Sequence, residues 1–480
     1  MKGHHLIGGE WIAGTDLVPD INPSDTGEIV GEFPTGDEAL VNAAIEAALA
    51  AKHGWARSNI QLRHDILRRA SDAIMARREE LGTLLAREEG KPIAEAIGEV
   101  VRAAHVFGFF AGEALRLGGE KLPSIRDGVD VEITREPVGV VGIIAPWNFP
   151  IAIPAWKIAP ALAFGNCVVF KPAEMVPASS YALARILVEA GVPAGVFNLV
   201  FGKGRVVGTA LTSHPGIDAI SFTGSVGTGR SVAAACVAAS PMKKVQLEMG
   251  GKNPLIVLDD ADLVVAVDVA VNGAYLSTGQ RCTSPERLIV AEGIHDRFVA
   301  AAIEKLSAMK VGHALDPDTI VGPVVSEGQL DSNLDYVRLG REAGATLAFG
   351  GERTQARTPG FYMTPVLFTD VSSDMRIARE ETFGPFAAVI RVKDYEEALA
   401  VANDTEFGLS SGICTTSLKY ASHYKRNSNA GMVMVNLPTA GVDYHAPFGG
   451  RRGSSYGPRE QGRYAAEFYT SVKTAYTAAG

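Results

Sequence analysis

Cysteine is scarce in this chain: four residues in 480, at Cys167, Cys236, Cys282 and Cys414. That excludes a disulfide scaffold, and no CxxC or Cys/His pair has zinc-ligand spacing. A reducing compartment is the simplest setting. Long apolar runs are missing as well. The stretch 138–147 is among the longest and is too short to cross a bilayer. The opening MKGHHLIGGEW lacks the apolar core of a signal peptide. Basic excess is absent: 45 Lys plus Arg stand against 54 Asp plus Glu, a net charge of -9. Such a chain has no footprint for coating nucleic acid, although a local basic pocket remains open to it. No internal repeat or low-complexity linker stands out. The expectation is a cytoplasmic protein with neither a membrane nor a nucleic acid as partner.

What is present reads as a packed globular chain, 47% hydrophobic and 21% charged. At roughly 150 residues per domain its length suggests about three domains. The first hundred residues read as helical. Leu62, Ile66, Ala70, Ile74, Leu81 and Leu85 recur near the helical period, with Arg and Glu on the other face. From residue 138 short β-rich runs appear at 138–145, 167–170, 196–200, 219–222, 245–247 and 255–258, alternating with helical stretches such as 179–190 and 229–239. This alternation means βαβ units and a parallel sheet. Ligands in such sheets bind beyond the carboxyl ends of strands. A second α/β block, 251–447, has helices at 263–275, 295–309 and 329–343 and strands at 287–290, 387–391 and 432–436. The polar segment 121–137, with alternating Val129, Val131 and Ile133, and the strand-like tail 467–477 are either exposed strands that pair with another subunit or ordinary edge strands of a monomer.

Several motifs follow strand ends. Cys282 lies in STGQRCTS (277–284), where Gly279 lets the backbone bend and small polar residues surround the sulfur. Taken alone it is a nucleophile or a small buried hydrophobe; the other three cysteines fit the second reading. Glu248, in LEMGGKNP (247–254), is a strand-end carboxylate that either takes a proton from a thiol or water or serves as a cap. Asn148, in APWNFP (145–150), either donates to a developing oxyanion or makes an Asx-turn. Lys171 and Glu174 follow the strand 167–170 and suit a ribose. Ser225, in FTGSVGTG (222–229), opens a helix whose N-terminus suits a pyrophosphate. The glycine loop 202–208, which holds Gly204, has one residue too many for G-x-G-x-x-G.

Taken in order, these motifs resemble the NAD(P)-dependent aldehyde dehydrogenase superfamily. The likeness runs from 9–11 to the region of Tyr469 and includes 145–150, 171–174, 222–225, 247–254, 279–283, EETFGP at 380–385 and PFGG at 447–450. The resemblance implies an α/β fold of two parallel-sheet domains plus a β oligomerisation arm. By it, residues 1–120 and 138–249 form the NAD(P)-binding domain, 250–447 the catalytic domain, and 121–137 with 462–480 the arm and tail, the arm pairing with the tail of another subunit in a homodimer or homotetramer. It implies Cys282 as nucleophile, Asn148 and the Cys282 backbone N–H as oxyanion donors, and Glu248 as the base that activates water. Lys157 and Glu460 match a proton relay, although RRGSSYGPRE (451–460) is longer than the usual run before that glutamate. Trp147, Lys171, Glu174, Gly204, Ser225, Glu381 and Phe383 match the cofactor site. Glu174 favours NAD; Lys203 and Arg205 leave NADP possible.

For the substrate, the resemblance places Phe149, Ile153, Trp156, Arg281, Thr283, Ala440, Val442, His445 and Phe448 along a tunnel. Arg281 is the expected grip on a carboxylate at the far end of a short aldehyde. Stretches 153–160, 247–254, 440–447 and 459–462 resemble members that act on α-ketoglutaric semialdehyde. Succinic semialdehyde comes next, then simple aliphatic or aromatic aldehydes. A non-catalytic relative would lack the set Cys282, Glu248 and Asn148, and CoA-acylating relatives tend to lack the glutamate.

Overall fold

The computed structural model describes residues 1–478. Its frame is two large sheets. The first has eight strands, in the order Ser455–Tyr456, Lys244–Glu248, Ala219–Thr223, Val140–Ile144, Cys167–Lys171, Phe197–Leu199, His5–Ile7 and Glu10–Ile12. Its five central strands are parallel. They are buried along most of their length, as the continuous apolar runs VVGII and CVVFK require. The register sets Ile144 beside Lys171 and Thr223 beside Glu248, so the carboxyl ends are level. Asn148, Lys171, Ser225 and Glu248 therefore gather at one rim.

The second sheet has seven strands, in the order Thr346–Phe349, Val366–Thr369, Phe386–Val392, Arg287–Ala291, Pro254–Val257, Ser410–Cys414 and Met432–Val435. All neighbours are parallel except the first pair. Apolar clusters fill both of its faces. Here the motif residues precede the strands: Asn253 before Pro254–Val257, Cys282 before Arg287–Ala291, and Glu381 and Phe383 before Phe386–Val392. The site thus lies between the carboxyl rim of one sheet and the amino rim of the other.

Three expectations change. The first hundred residues are not all helical: short strands at His5–Ile7, Glu10–Ile12, Leu17–Ile21 and Ile29–Pro34 precede the helix Glu38–Ala56. The first two, of three residues each, carry too little alternation to be read. The stretch 62–85 is two helices, Ile60–Ala76 and Arg78–Glu89, broken at Arg77, and Leu62 is exposed. Finally, the arm pairs within the chain. Glu120–Pro123 and Thr470–Ala478 flank Val129–Pro137, with Thr470 opposite Pro137 and Ala478 opposite Val129. Nine residue pairs in one register join the tail to the arm's central strand within the chain. The last two residues of the expected tail, 479 and 480, lie outside the described residues. No described helix is long and apolar enough to cross a membrane.

The packing buries carboxyl groups that gain no partner. Both oxygens of Glu89 are buried without a hydrogen bond, and Lys91 Nζ stands 4.0 Å away. Burial pushes the Glu89 carboxyl from 4.5 up to about 8. The folded chain therefore holds a proton there that the unfolded chain releases. This contribution to stability is complete below about pH 4.5 and is lost as pH rises to about 8. Glu89→Gln should flatten the fall in Tm across that window; an unaltered slope would place the alkaline loss at another group.

Candidate active site

The segment before Cys282 is bent by backbone that only close support can hold. The helix Leu263–Tyr275 runs into a short turn, Leu276–Gly279, in which Ser277 and Thr278 take left-handed φ of 53° and 56°. Such residues cost about 1–3 kcal/mol each. Glu95, from the helix Ile93–Ala114, accepts from Ser277 N at 2.9 Å and from Ser277 Oγ at 2.7 Å, while Thr278 Oγ1 donates to Gly322 O at 3.2 Å. At Gly279 (φ 65°) a Cβ would lie 1.9 Å from the Gly384 carbonyl, so no side chain fits. Beyond it, the Asn253 amide donates to Cys282 O at 2.7 Å and to Ser284 O at 2.9 Å and accepts from Ser410 N at 3.0 Å. These bonds hold the half-buried Cys282 at the base of a cavity.

That cavity is about 240 Å³, below the roughly 300–1,000 Å³ of sites for drug-sized ligands. Eight of the nine residues expected along the tunnel, Phe149, Ile153, Trp156, Arg281, Thr283, Ala440, Val442 and Phe448, line it together with Cys282. His445 does not; it is exposed, beside Tyr444. Trp156 and Phe448 stack at 5.3 Å. Arg281 sits on the wall, but its guanidinium pairs with Glu95 and donates to Ser277 Oγ at 2.8 Å. Its charge is already answered, and it braces the left-handed turn.

Asn148 is buried. One N–H of its amide donates to Gln280 O at 3.0 Å, two residues before Cys282, which leaves the second N–H as a donor. Its backbone carbonyl accepts from Lys91 Nζ at 2.7 Å. Glu248 is also buried, beyond the lining of the cavity; Ser455 Oγ donates to its Oε2 at 2.5 Å and its Oε1 is without a partner. Burial first, then the neighbouring Glu460, raises its carboxyl well above the usual range. Burial, helped by Glu381 and Glu248, likewise raises the Cys282 thiol. The long run 451–460 has a structural cause: Ser455–Tyr456 forms an antiparallel edge strand on Lys244–Glu248, with Ser455 opposite Glu248. Glu460 still reaches Lys157 as a buried ion pair, and Lys157 donates to Ser221 Oγ at 3.0 Å.

At the other end of the rim, Lys171 Nζ donates to Pro172 O at 2.8 Å and burial lowers its ammonium to about 8. The Glu174 carboxylate accepts from Gly204 N at 2.7 Å, joining two expected cofactor residues. Ser225 caps the helix Val226–Ala238 and is exposed; a Cβ on the next glycine, Gly227, would meet nothing within 4 Å. That helix end is open to an anion. Trp147 and Phe383 meet edge to face at 5.3 Å. The double glycine of the 247–254 motif makes room for Glu381. A Cβ on Gly250 would lie 2.0 Å from its Oε2, and Gly251 N donates to its Oε1 at 2.9 Å. These donors and acceptors fit a dinucleotide lying from Glu174 to Glu381.

Sequence reasoning missed Lys91, Glu95, Glu99, Arg102, Asn253 and Ser455. The spacing 95, 99, 102 is a polar stripe on one helix face, the signal that would have found three of them.

A thiol, a free side-chain amide N–H, a buried carboxyl and a rim that fits a dinucleotide meet at one cleft, the arrangement expected of an aldehyde dehydrogenase. The family profile agrees: it matches residues 11–475, and the chain belongs to the aldehyde dehydrogenase family. The chain is 42% identical over 476 residues to the α-ketoglutaric semialdehyde dehydrogenase of Bacillus subtilis (strain 168), covering 98% of this chain and 97% of that relative. To the α-ketoglutarate semialdehyde dehydrogenase of Haloferax volcanii it is 43% identical over 477 residues, covering 98% of both. Among solved structures, the NAD-dependent aldehyde dehydrogenase from Sinorhizobium meliloti superposes with a TM-score of 0.97 at 37% identity, covering 100% of this chain and 95% of that one. Betaine aldehyde dehydrogenase from Staphylococcus aureus in complex with NAD+ gives 0.96 at 34%, covering 99% and 95%.

Ser455 should tune Glu248. A hydrogen bond to the charged carboxylate favours ionisation, so Ser455→Ala should move the alkaline-rising limb of turnover up by about one pH unit, equivalent to about 1.4 kcal/mol. Pre-steady-state traces across pH would read it; a limb that stays in place would separate Ser455 from the base.

Proposed function

We propose that the chain oxidises a short carboxylated aldehyde, α-ketoglutaric semialdehyde foremost, to the acid, with NAD as hydride acceptor. The observation that carries this reading is Cys282 at the base of a small, largely apolar cavity, with the Asn148 amide behind it. The two relatives that bear the α-ketoglutarate name, each at least 42% identical, support the substrate. Succinic semialdehyde is the second choice, an uncharged aldehyde the third. NAD is supported by the relative crystallised with NAD+ and by Glu174, whose carboxylate can receive two ribose hydroxyls and would repel a 2'-phosphate. The exposed Lys203 and Arg205 keep NADP as the second cofactor.

Chemistry begins at Cys282. Its thiol loses its proton to water in the cavity, and Sγ bonds to the aldehyde carbon as the C=O π pair moves to oxygen. The free N–H of Asn148 and the Cys282 backbone N–H receive that oxyanion. Glu174, Ser225 and Glu381 would hold the dinucleotide, whose nicotinamide would supply the hydride acceptor, and loss of hydride from the adduct leaves a thioester on Sγ. Glu248 then takes a proton from water, whose oxygen attacks the thioester, releasing the acid and Cys282. Lys157 and Glu460 relay that proton away from Glu248 toward solvent. Both the thiol and Glu248 sit above their usual values, so turnover rises with pH.

In this reading residues 1–120 and 138–249 bind the cofactor, 250–447 carry the cysteine, and 121–137 with 462–480 join subunits of a homodimer or homotetramer, which a solution mass would distinguish from a monomer. Val472 and Tyr476 stand exposed on the arm, in support. The four free cysteines accord with a reducing cytoplasm.

Cys282→Ala should abolish oxidation while NAD still binds; retained turnover would remove it as nucleophile. Glu248→Gln should keep a burst of one NADH per site with steady-state turnover cut about 100-fold or more. Rates with α-ketoglutaric semialdehyde, succinic semialdehyde and an uncharged aldehyde of similar length, each with NAD and NADP, test the substrate and the cofactor. A preference for the uncharged aldehyde would overturn the substrate.

A further inference from the structure

Three cations stand on the wall of the cavity above Cys282: Lys91, Arg281 and Arg102. Two are already paired. Lys91 Nζ donates to Glu99 Oε2 at 2.6 Å, and Glu99 Oε1 in turn takes the N–H groups of Ile151 and Ala152 at 3.0 and 3.1 Å. Arg281 is held by Glu95 and Ser277. Arg102 differs. Among the described residues no carboxylate oxygen lies within 4 Å of it. Its recorded polar contact is Nη2 to Gln461 Oε1 at 3.0 Å, and its guanidinium lies 5.7 Å from the centre of the Trp156 ring. Gln461 is fully buried and Trp156 nearly so, so both hold the guanidinium in place.

A guanidinium stays charged in a protein and offers a fork of donors. Half-buried on a mostly apolar wall, it has Asp443 and Glu99 nearby but neither in direct contact, and its buried Nε is without a partner. A substrate carboxylate would supply the counter-charge and bidentate bonds together. We propose that Arg102, held by Gln461 and Trp156, is the residue that recognises the distal carboxylate of the aldehyde, and that Arg281 is not. The proposal rests on the reading that the substrate is carboxylated. It assigns selectivity to the helix Ile93–Ala114 rather than to the cysteine loop.

The test compares kcat/KM for α-ketoglutaric semialdehyde with that for an uncharged aldehyde of similar length, in wild type, Arg102→Gln, Arg102→Lys and Arg281→Gln. Arg102→Gln should lower the ratio of the two at least tenfold, chiefly by raising KM for the carboxylated aldehyde, and Arg102→Lys should restore part of it. Glutarate, which has no aldehyde to react, should inhibit wild type competitively and lose at least tenfold in potency against Arg102→Gln. A wild type that prefers the carboxylated aldehyde while Arg102→Gln keeps the same ratio would overturn the Arg102 assignment alone. So would a loss of the ratio in Arg281→Gln but not in Arg102→Gln. A wild type without preference for the carboxylated aldehyde would overturn the substrate reading, and Arg102 recognition with it. If Arg102→Gln fails to fold, Arg102→Lys and glutarate inhibition decide: a lysine variant with the full wild-type ratio and potency would show that a forked donor is not required and overturn the proposal.

Discussion

One buried side-chain amide fixes the geometry on which the site depends. Asn253 bonds to the carbonyls of Cys282 and Ser284 and to the N–H of Ser410. It stands where the chain leaves Glu248 and enters the second sheet, so it ties the cysteine loop to two strand ends at once. A rigid strand end thereby sets the position of the sulfur that a loop would leave to chance. The same principle operates one step back, where Glu95 holds two left-handed residues. Removing either support would release backbone strain rather than a simple contact.

Burial gives the site its electrostatic character. Glu248, Glu381 and Glu460 are all raised by burial, and a neighbouring carboxylate adds to it for two of them, Glu460 for Glu248 and Glu286 for Glu381. Each costs more to ionise there than in water. The ordered neighbours of the three differ: a hydroxyl for Glu248, a backbone N–H for Glu381, a lysine for Glu460. Three carboxyls of one type are thus given three different environments in one cleft.

The sequence was most legible where spacing and chemistry coincide. Parallel strands of continuous apolar residues were readable from composition, and the residues after them fell at the rim because strand ends are level. The cavity lining followed from the family resemblance. What escaped depended on contacts between distant parts of the chain. The charge on Arg281 was visible, but its partner Glu95 lies 186 residues earlier, and no local pattern joins them. Arg102 stands in no motif of the sequence, and only the fold brings it to the cavity that holds Cys282. The extra residues before Glu460 weakened the expectation there; in three dimensions they form the short strand that carries Ser455 to Glu248.

The arm carries a consequence for how the chain is made. Its central strand, Val129–Pro137, is emitted early, yet one of its two flanking strands is Thr470–Ala478, the last described element. Until synthesis is nearly complete, that long strand has an unsatisfied edge, with its N–H and C=O groups open to any other extended peptide. Contacts so distant in sequence also form slowly. A nascent chain is therefore at risk of pairing with its neighbours on the same messenger, and a ribosome that stalls near the end releases a product with both large sheets complete and a sticky hem.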